Sequence, residues 1–260
     1  MTHEIEHRYG ENVHILDDPL AMTLLAKLCA NETVQPEVNR LVAALYRQLV
    51  CTVIRQEMPT KQVNLPTRMT ASEKRAIWSG SIIDPRVKVA VVCVARAGIF
   101  PSQVCYDLLN ELLTPAGVRQ DHMLMNRTTN AAGEVDGAAI QGAKIGGPID
   151  NSTLLIPDPM GATGTTIVTL LEHYQRNVEG TAAKTVALNL IITPEYIRRI
   201  ESEAPGTKIY AYRLDRGLSP DHVLAAVPGE YWDQEVGLNE HGYIIPGGGG
   251  FGEVMNNAFV

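Results

Sequence analysis

Apolar positions recur at helical spacing through residues 36–58, where Val38, Leu41, Val42, Leu45, Leu49, Val53 and Ile54 share one face. Pro59 ends that helix, because proline lacks the N–H that the next turn needs. A weakly patterned stretch, interrupted by Pro66, follows to about Pro85. The pattern then changes. Residues 87–95 form a nearly continuous β-branched run, as expected of a parallel strand buried on both faces. Ala97 and Gly98 break it, and 101–113 read as a helix with Val104, Leu108, Leu109 and Leu112 together. A short strand is expected at 122–125, a glycine-rich loop over 128–150, and a strand at 153–157. A glycine-threonine turn leads into a helix at 165–178, which Gly180 stops. Residues 184–192 read as a strand. Thr193 and Pro194 supply a cap and a first-turn proline for a helix to about Glu203, and 208–212 read as a further strand.

Strands alternating with helices predict βαβ units, hence an α/β fold with a mostly parallel sheet and right-handed crossovers. The N-terminal helical region and the segment after Leu214 are expected as attachments. Length is consistent with one domain over 1–260, residues 1–12 being a loose N-terminus. Such sheets bind ligands beyond the carboxyl ends of their strands. That rule points to Arg96, Arg127, the turn from Asp158 to Thr166, and the glycine run at 247–250.

Composition narrows the function classes. Hydrophobic residues make up 45% and charged residues 20%, an ordinary balance for a folded α/β chain. A net charge of −7 argues against a duplex nucleic-acid partner, which needs a basic face, but leaves room for a small anionic substrate. Cys29, Cys51, Cys93 and Cys105 form no C-x-x-C pair and read as buried free thiols of a reducing compartment. The start of the chain has no apolar stretch of a signal peptide, and no run reaches the ~18 residues of a membrane span. A cytoplasmic location is expected. The histidines are scattered without zinc-ligand spacing, and no serine sits in a G-x-S-x-G elbow.

The sharpest chemistry lies in Asp158, Pro159, Met160, Gly161, Ala162, Thr163, Gly164, Thr165 and Thr166, between a buried strand and a helix. Such a turn exposes unpaired backbone N–H groups at the positive end of the helix. With the hydroxyls of Thr163, Thr165 and Thr166 they can cradle a phosphate, the bland alternative being a threonine-capped turn. Asp158, at the strand end, can accept from ribose hydroxyls or hold a Mg²⁺ hydration shell. Neither the P-loop nor the dinucleotide spacing is present.

That segment resembles the PRPP loop of the uracil phosphoribosyltransferases, PRPP being 5-phosphoribosyl 1-diphosphate. Ala162 stands where related phosphoribosyltransferases usually carry Asp. The turn Ala95-Arg96-Ala97-Gly98 is similar to the family's arginine loop. Leu238-Asn239-Glu240-His241-Gly242-Tyr243-Ile244-Ile245-Pro246-Gly247 is similar to its uracil-binding segment. Three motifs in the family's order, with counterparts at Asp18-Pro19-Leu20 and Asn126-Arg127, extend the resemblance from about Val13 to the end. It implies a type I phosphoribosyltransferase fold with a C-terminal base-binding hood, and transfer from PRPP to uracil to give UMP and diphosphate. Arg96 and Arg127 are implied for the diphosphate, Asp158 for the ribose, and Pro159 to Thr166 for the rest of PRPP. Tyr243, Ile244, Gly249, Gly250 and Phe251 are implied for uracil. Mg²⁺ would arrive on PRPP without direct protein ligands, Asp158 being the nearest candidate. A homodimer or larger assembly is also implied.

Three departures from the family pattern stand out. Gly250 replaces an Asp that contacts PRPP, with Glu253 the next carboxylate. Residues at about 217–236 read as an insertion that covers the site or builds a subunit contact. Thr128, Thr129 and Asn130 replace acidic residues after Arg127, and the 128–150 loop is rewritten. A different acceptor base, or a non-catalytic PRPP or nucleotide sensor, are therefore the competing readings.

Overall fold

The structure is a computed structural model. It describes the backbone of residues 3–129 and 135–258, and the side chains there except at 126–129 and 135–138. Strand β1 (Val13–Ile15) leads to α1 (Pro19–Leu28), whose start is fixed by Asp18: its carboxylate accepts from the Leu20 and Ala21 amides. The amphipathic helix α2 (Glu37–Glu57) follows as expected. The weakly patterned stretch after it is a two-stranded antiparallel hairpin, β2 (Thr60–Pro66) and β3 (Ile77–Ile83). Both strands are largely exposed, so no one-sided burial imposed an alternating pattern on them.

The expected βαβ series comes next: β4 (Lys88–Ala95), α3 (Ile99–Leu112), β5 (Val118–Thr129), β6 (Val135–Lys144), β7 (Ser152–Pro157), β8 (Met160–Gly161), α4 (Thr165–Asn177), β9 (Lys184–Ile192), α5 (Pro194–Glu203) and β10 (Lys208–Leu214). Two short helices, α6 (Asp221–Leu224) and α7 (Phe251–Val254), close the chain. The eight-stranded sheet runs β1-β10-β9-β7-β4-β5-β6, with β8 beside β9, and every pairing is parallel except β5 with β6. The expectation of a short strand and a loop over 122–150 is corrected here. The strand is twelve residues long, and β6 returns against it in an antiparallel ladder with two register shifts.

Period-two alternation sends each strand's side chains to two cores. Val89 and Val91, Leu155, Leu188 and Tyr210 pack under α1, α2 and α3. Ala90 and Val92, Leu154 and Ile156, Ile209 and Ala211 pack under α4 and α5. Truncating any of these buried leucines or isoleucines to alanine costs about 2–5 kcal/mol, so the sheet is a rigid floor for whatever its edge loops carry. Residues 3–12, expected to be loose, lie against the body: Ile5 N–H donates to Ile15 O, Arg8 N–H to Pro228 O, and Tyr9 is buried. All four cysteines are free, Cys93 and Cys105 buried, Cys29 and Cys51 half-buried. No described helix is long and apolar enough to cross a membrane.

Candidate active site

The predicted residues other than Arg127 gather at the carboxyl ends of β4, β7, β8, β9 and β10. The turn after β7 and β8 is fixed from below. Asn189 donates to Asp158 O (2.6 Å) and is itself held by the buried Tyr196 hydroxyl. Thr193 donates its hydroxyl to Ala162 O (2.6 Å) and its amide to Gly161 O (3.1 Å). The carbonyls of the turn are thus consumed by β9 and α5. Gly164 stands at the N-cap of α4 with φ +76°, a left-handed conformation suited to glycine; it offers no capping side chain, and the Thr165 N–H donates to Thr163 Oγ1 (3.4 Å). The first-turn N–H groups after Thr165, the Thr163 and Thr165 hydroxyls (3.0 Å apart) and half-buried Thr166 form a polar concavity at the helix's positive end. Pro159 and Gly161 are buried and Met160 half-buried, so they shape the turn from within.

Arg96 sits on the neighbouring turn. A Cβ on Gly98 would come within 2.9 Å of Pro157 O, so glycine there lets the arginine turn close against the strand that delivers Asp158. Arg96 donates to Ala258 O (2.9 Å) and lies 3.4 Å from the Glu253 carboxylate. Arg127 lies on β5, paired with Ala138, but its side chain is outside the described residues.

The C-terminal loop folds over this edge. A Cβ on Gly252 would reach Ala97 and Arg96 at van der Waals distance, and Gly249 and Gly250 lead into Phe251, whose side chain is buried in the core at the start of α7. Ile244 is also buried, bridging Leu238, whereas Tyr243 is exposed on a turn held by Asn239. A Cβ at Gly250 would meet Glu253 Oε2. The volume of a side chain at 250 is therefore already taken by a carboxylate from one helical turn further on.

Sequence reasoning missed the fastening of this loop. Arg213 makes a bidentate pair with buried Asp215 (2.7 and 2.8 Å) and donates to Gly247 O (2.7 Å), while Gly247 N–H donates to Asp215 (2.8 Å). The available signal was an Arg and an Asp two apart at a strand end, hence on one face. Burial pushes the Cys29 thiol up, although Arg213 lies 3.8 Å from it, so it stays neutral beneath Gly248. Arg199, also missed, donates from α5 to Thr165 Oγ1. The segment 217–236 folds around Arg216, which donates to the carbonyls of Val223, Leu224 and Ala226 and to Glu235. It rests on Tyr9 and α5. A cleft of about 650 Å³ lies away from this site, at the opposite end of the sheet beside Glu57 and Lys184.

A parallel sheet carrying a glycine-threonine cradle, an acidic strand end and an arginine turn defines the phosphoribosyltransferase class. The family model described as uracil phosphoribosyltransferase matches residues 15–234. The uracil phosphoribosyltransferase of Thermococcus sibiricus is 25% identical over 252 residues, 96% of this chain and 91% of its own. That of Caldanaerobacter subterraneus subsp. tengcongensis is 25% identical over 243 residues, 94% and 96% of the two chains. Among solved structures, the AQ2163 protein from Aquifex aeolicus superposes with TM-score 0.70 at 18% identity, over 95% of this chain and 99% of that one, and shares the fold. The chain belongs to the uracil phosphoribosyltransferase family.

Proposed function

We propose that this protein transfers the phosphoribosyl group of PRPP to uracil, giving UMP and diphosphate. The observation that carries the reading is the pairing of a glycine-started α4 with Asp158 and Arg96 at one edge of the sheet. The cradle takes the 5′-phosphate through first-turn amides and threonine hydroxyls. Asp158 accepts from the ribose hydroxyls. Arg96 and Arg127 are assigned to the diphosphate, because planar guanidinium forks match phosphate oxygens. As the C1′–O bond breaks, charge grows on the diphosphate and the ring gains oxocarbenium character. Fixed cations and amides stabilise that distribution more than they do the ground state. The uracil ring nitrogen attacks C1′ and loses its proton. Backbone around Ile244, Gly249, Gly250 and Phe251 reads the base, with Tyr243 at the rim.

Among the described residues no cluster of three or more acidic, histidine or cysteine side chains could cage a metal. Single carboxylates at Asp158 and Glu253 fit a Mg²⁺ that arrives on the diphosphate and keeps its waters. When bound it supplies charge neutralisation and a template for the leaving group. The chief argument for a catalytically silent sensor is glycine at 250, and Glu253 in that volume weakens it.

The test is conversion of radiolabelled uracil to UMP with PRPP and Mg²⁺, run beside cytosine, orotate and purine bases. Uracil is expected to be the preferred acceptor. Asp158→Asn is expected to lower kcat/KM for PRPP by about tenfold or more, the size of one lost bond to a charged group. PRPP binding without nucleotide from any base would leave the sensor instead.

A further inference from the structure

We propose that Arg199 is the cationic clamp on the 5′-phosphate, reaching the cradle from α5. The inference rests on the PRPP reading and adds a residue to it. The cradle itself, from Gly161 to Thr166, carries no charged side chain, yet a sugar 5′-phosphate at neutral pH is largely a dianion. Backbone amides and a helix end supply only partial positive charge. A full cation stands beside them. The Arg199 Cβ and Cγ lie 3.2 and 3.3 Å from where a Cβ on Gly164 would be, so its stem packs along the glycine that opens α4. Its Nη1 donates to Thr165 Oγ1, which in turn lies 3.0 Å from Thr163 Oγ1. Guanidinium and both hydroxyls form one hydrogen-bonded chain beside a cleft of about 370 Å³ that Thr163, Glu195, Arg199, Glu203 and Leu238 line.

The neighbouring charges leave Arg199 available. Its other partner is Glu203, four residues on, in a half-exposed pair at 3.0 Å. Such pairs are weak and solvent-screened, so a phosphate with two charges exchanges for it readily. Glu195, in the same cleft, turns one oxygen to the amides of Gly237 and Leu238. Arg198 is committed elsewhere, donating to Trp232 O (2.5 Å) with its guanidinium 6.0 Å from the centre of that ring. Arg199 is thus the cation aligned with the hydroxyl chain.

Calorimetric titration with ribose 5-phosphate and, separately, with Mg²⁺-pyrophosphate separates this role from a bracing one. Arg199→Met keeps the stem against Gly164 and removes the charge. It is expected to weaken ribose 5-phosphate binding by about tenfold or more while leaving pyrophosphate affinity and melting temperature unchanged. Arg199→Lys, which retains the charge without the fork, is expected to fall between. Ribose 5-phosphate bound by Arg199→Met as tightly as by the wild type would overturn the inference, as would an equal loss of both ligands. A wild-type protein that binds neither ligand would remove the PRPP reading, and the clamp with it.

Discussion

At the scale of single residues, the apparent defect at Gly250 becomes an exchange of positions. Its φ of −81° is open to any residue, so conformation does not demand glycine there. A side chain there would meet Glu253 Oε2, the movable end of a half-buried side chain whose own N–H donates to Gly250 O at 3.0 Å. Restoring an aspartate at 250 would crowd one carboxylate against another. Gly250→Asp is therefore expected to cost little stability, since the end of Glu253 can swing, and to lower kcat/KM by about tenfold through repulsion between the two carboxylates. The double variant Gly250→Asp/Glu253→Ala, which empties the space, should recover part of that loss. A coupling energy near zero in this cycle would refute the exchange. The sequence showed both residues but not their contact, because the turn of α7 that returns position i+3 over position i is only four residues long and leaves no periodic trace.

At the scale of elements, legibility followed burial. Strands β4, β7, β9 and β10 are covered on both faces and read as apolar runs, with boundaries within two residues of those expected. Helix α5 was placed from its Thr193 cap and Pro194. The β2–β3 hairpin exposes Leu65, Ile77 and Trp78, and β6 runs through alanines and glycines, so neither carries the pattern that a buried face imposes. The loop fastening was illegible for another reason: it joins the end of β10 to a segment more than thirty residues later. Arg213, Asp215 and Gly247 hold the C-terminal loop over the site through four hydrogen bonds at 2.7–2.8 Å. Lysine cannot reproduce Arg213's fork. Arg213→Lys is expected to raise the KM for uracil by about tenfold, with ribose 5-phosphate affinity unchanged. Equal effects on uracil and ribose 5-phosphate would show that the loop does not serve the base alone.

Over the whole molecule, the two ends of the sheet divide the work. The carboxyl ends carry the site, and the amino ends carry a buried electrostatic knot. Glu57, at the end of α2, accepts from Lys184 at the start of β9, Lys208 at the start of β10, and the Tyr210 hydroxyl. Burial pushes its carboxyl up, but the bonds from Lys208, Tyr210 and Lys184 together outweigh that and bring the pKa to about 2, against 4.5 when free. A carboxylate whose pKa is depressed on folding contributes stability above its unfolded value and loses it as pH falls through the folded one. The window is therefore pH 4.5 down to about 2, across which about 3 kcal/mol should disappear. Glu57→Gln removes the charge while leaving two lysines beside it, so it is expected to lower stability at pH 7 by a similar amount and to flatten the acid limb of the unfolding curve. Because the knot sits at the end of the strands away from Asp158 and Arg96, KM values for PRPP and uracil should not change. A variant that kept wild-type acid sensitivity would assign that limb to other carboxylates. A change in KM at full folding would show that the two ends are mechanically coupled through the sheet.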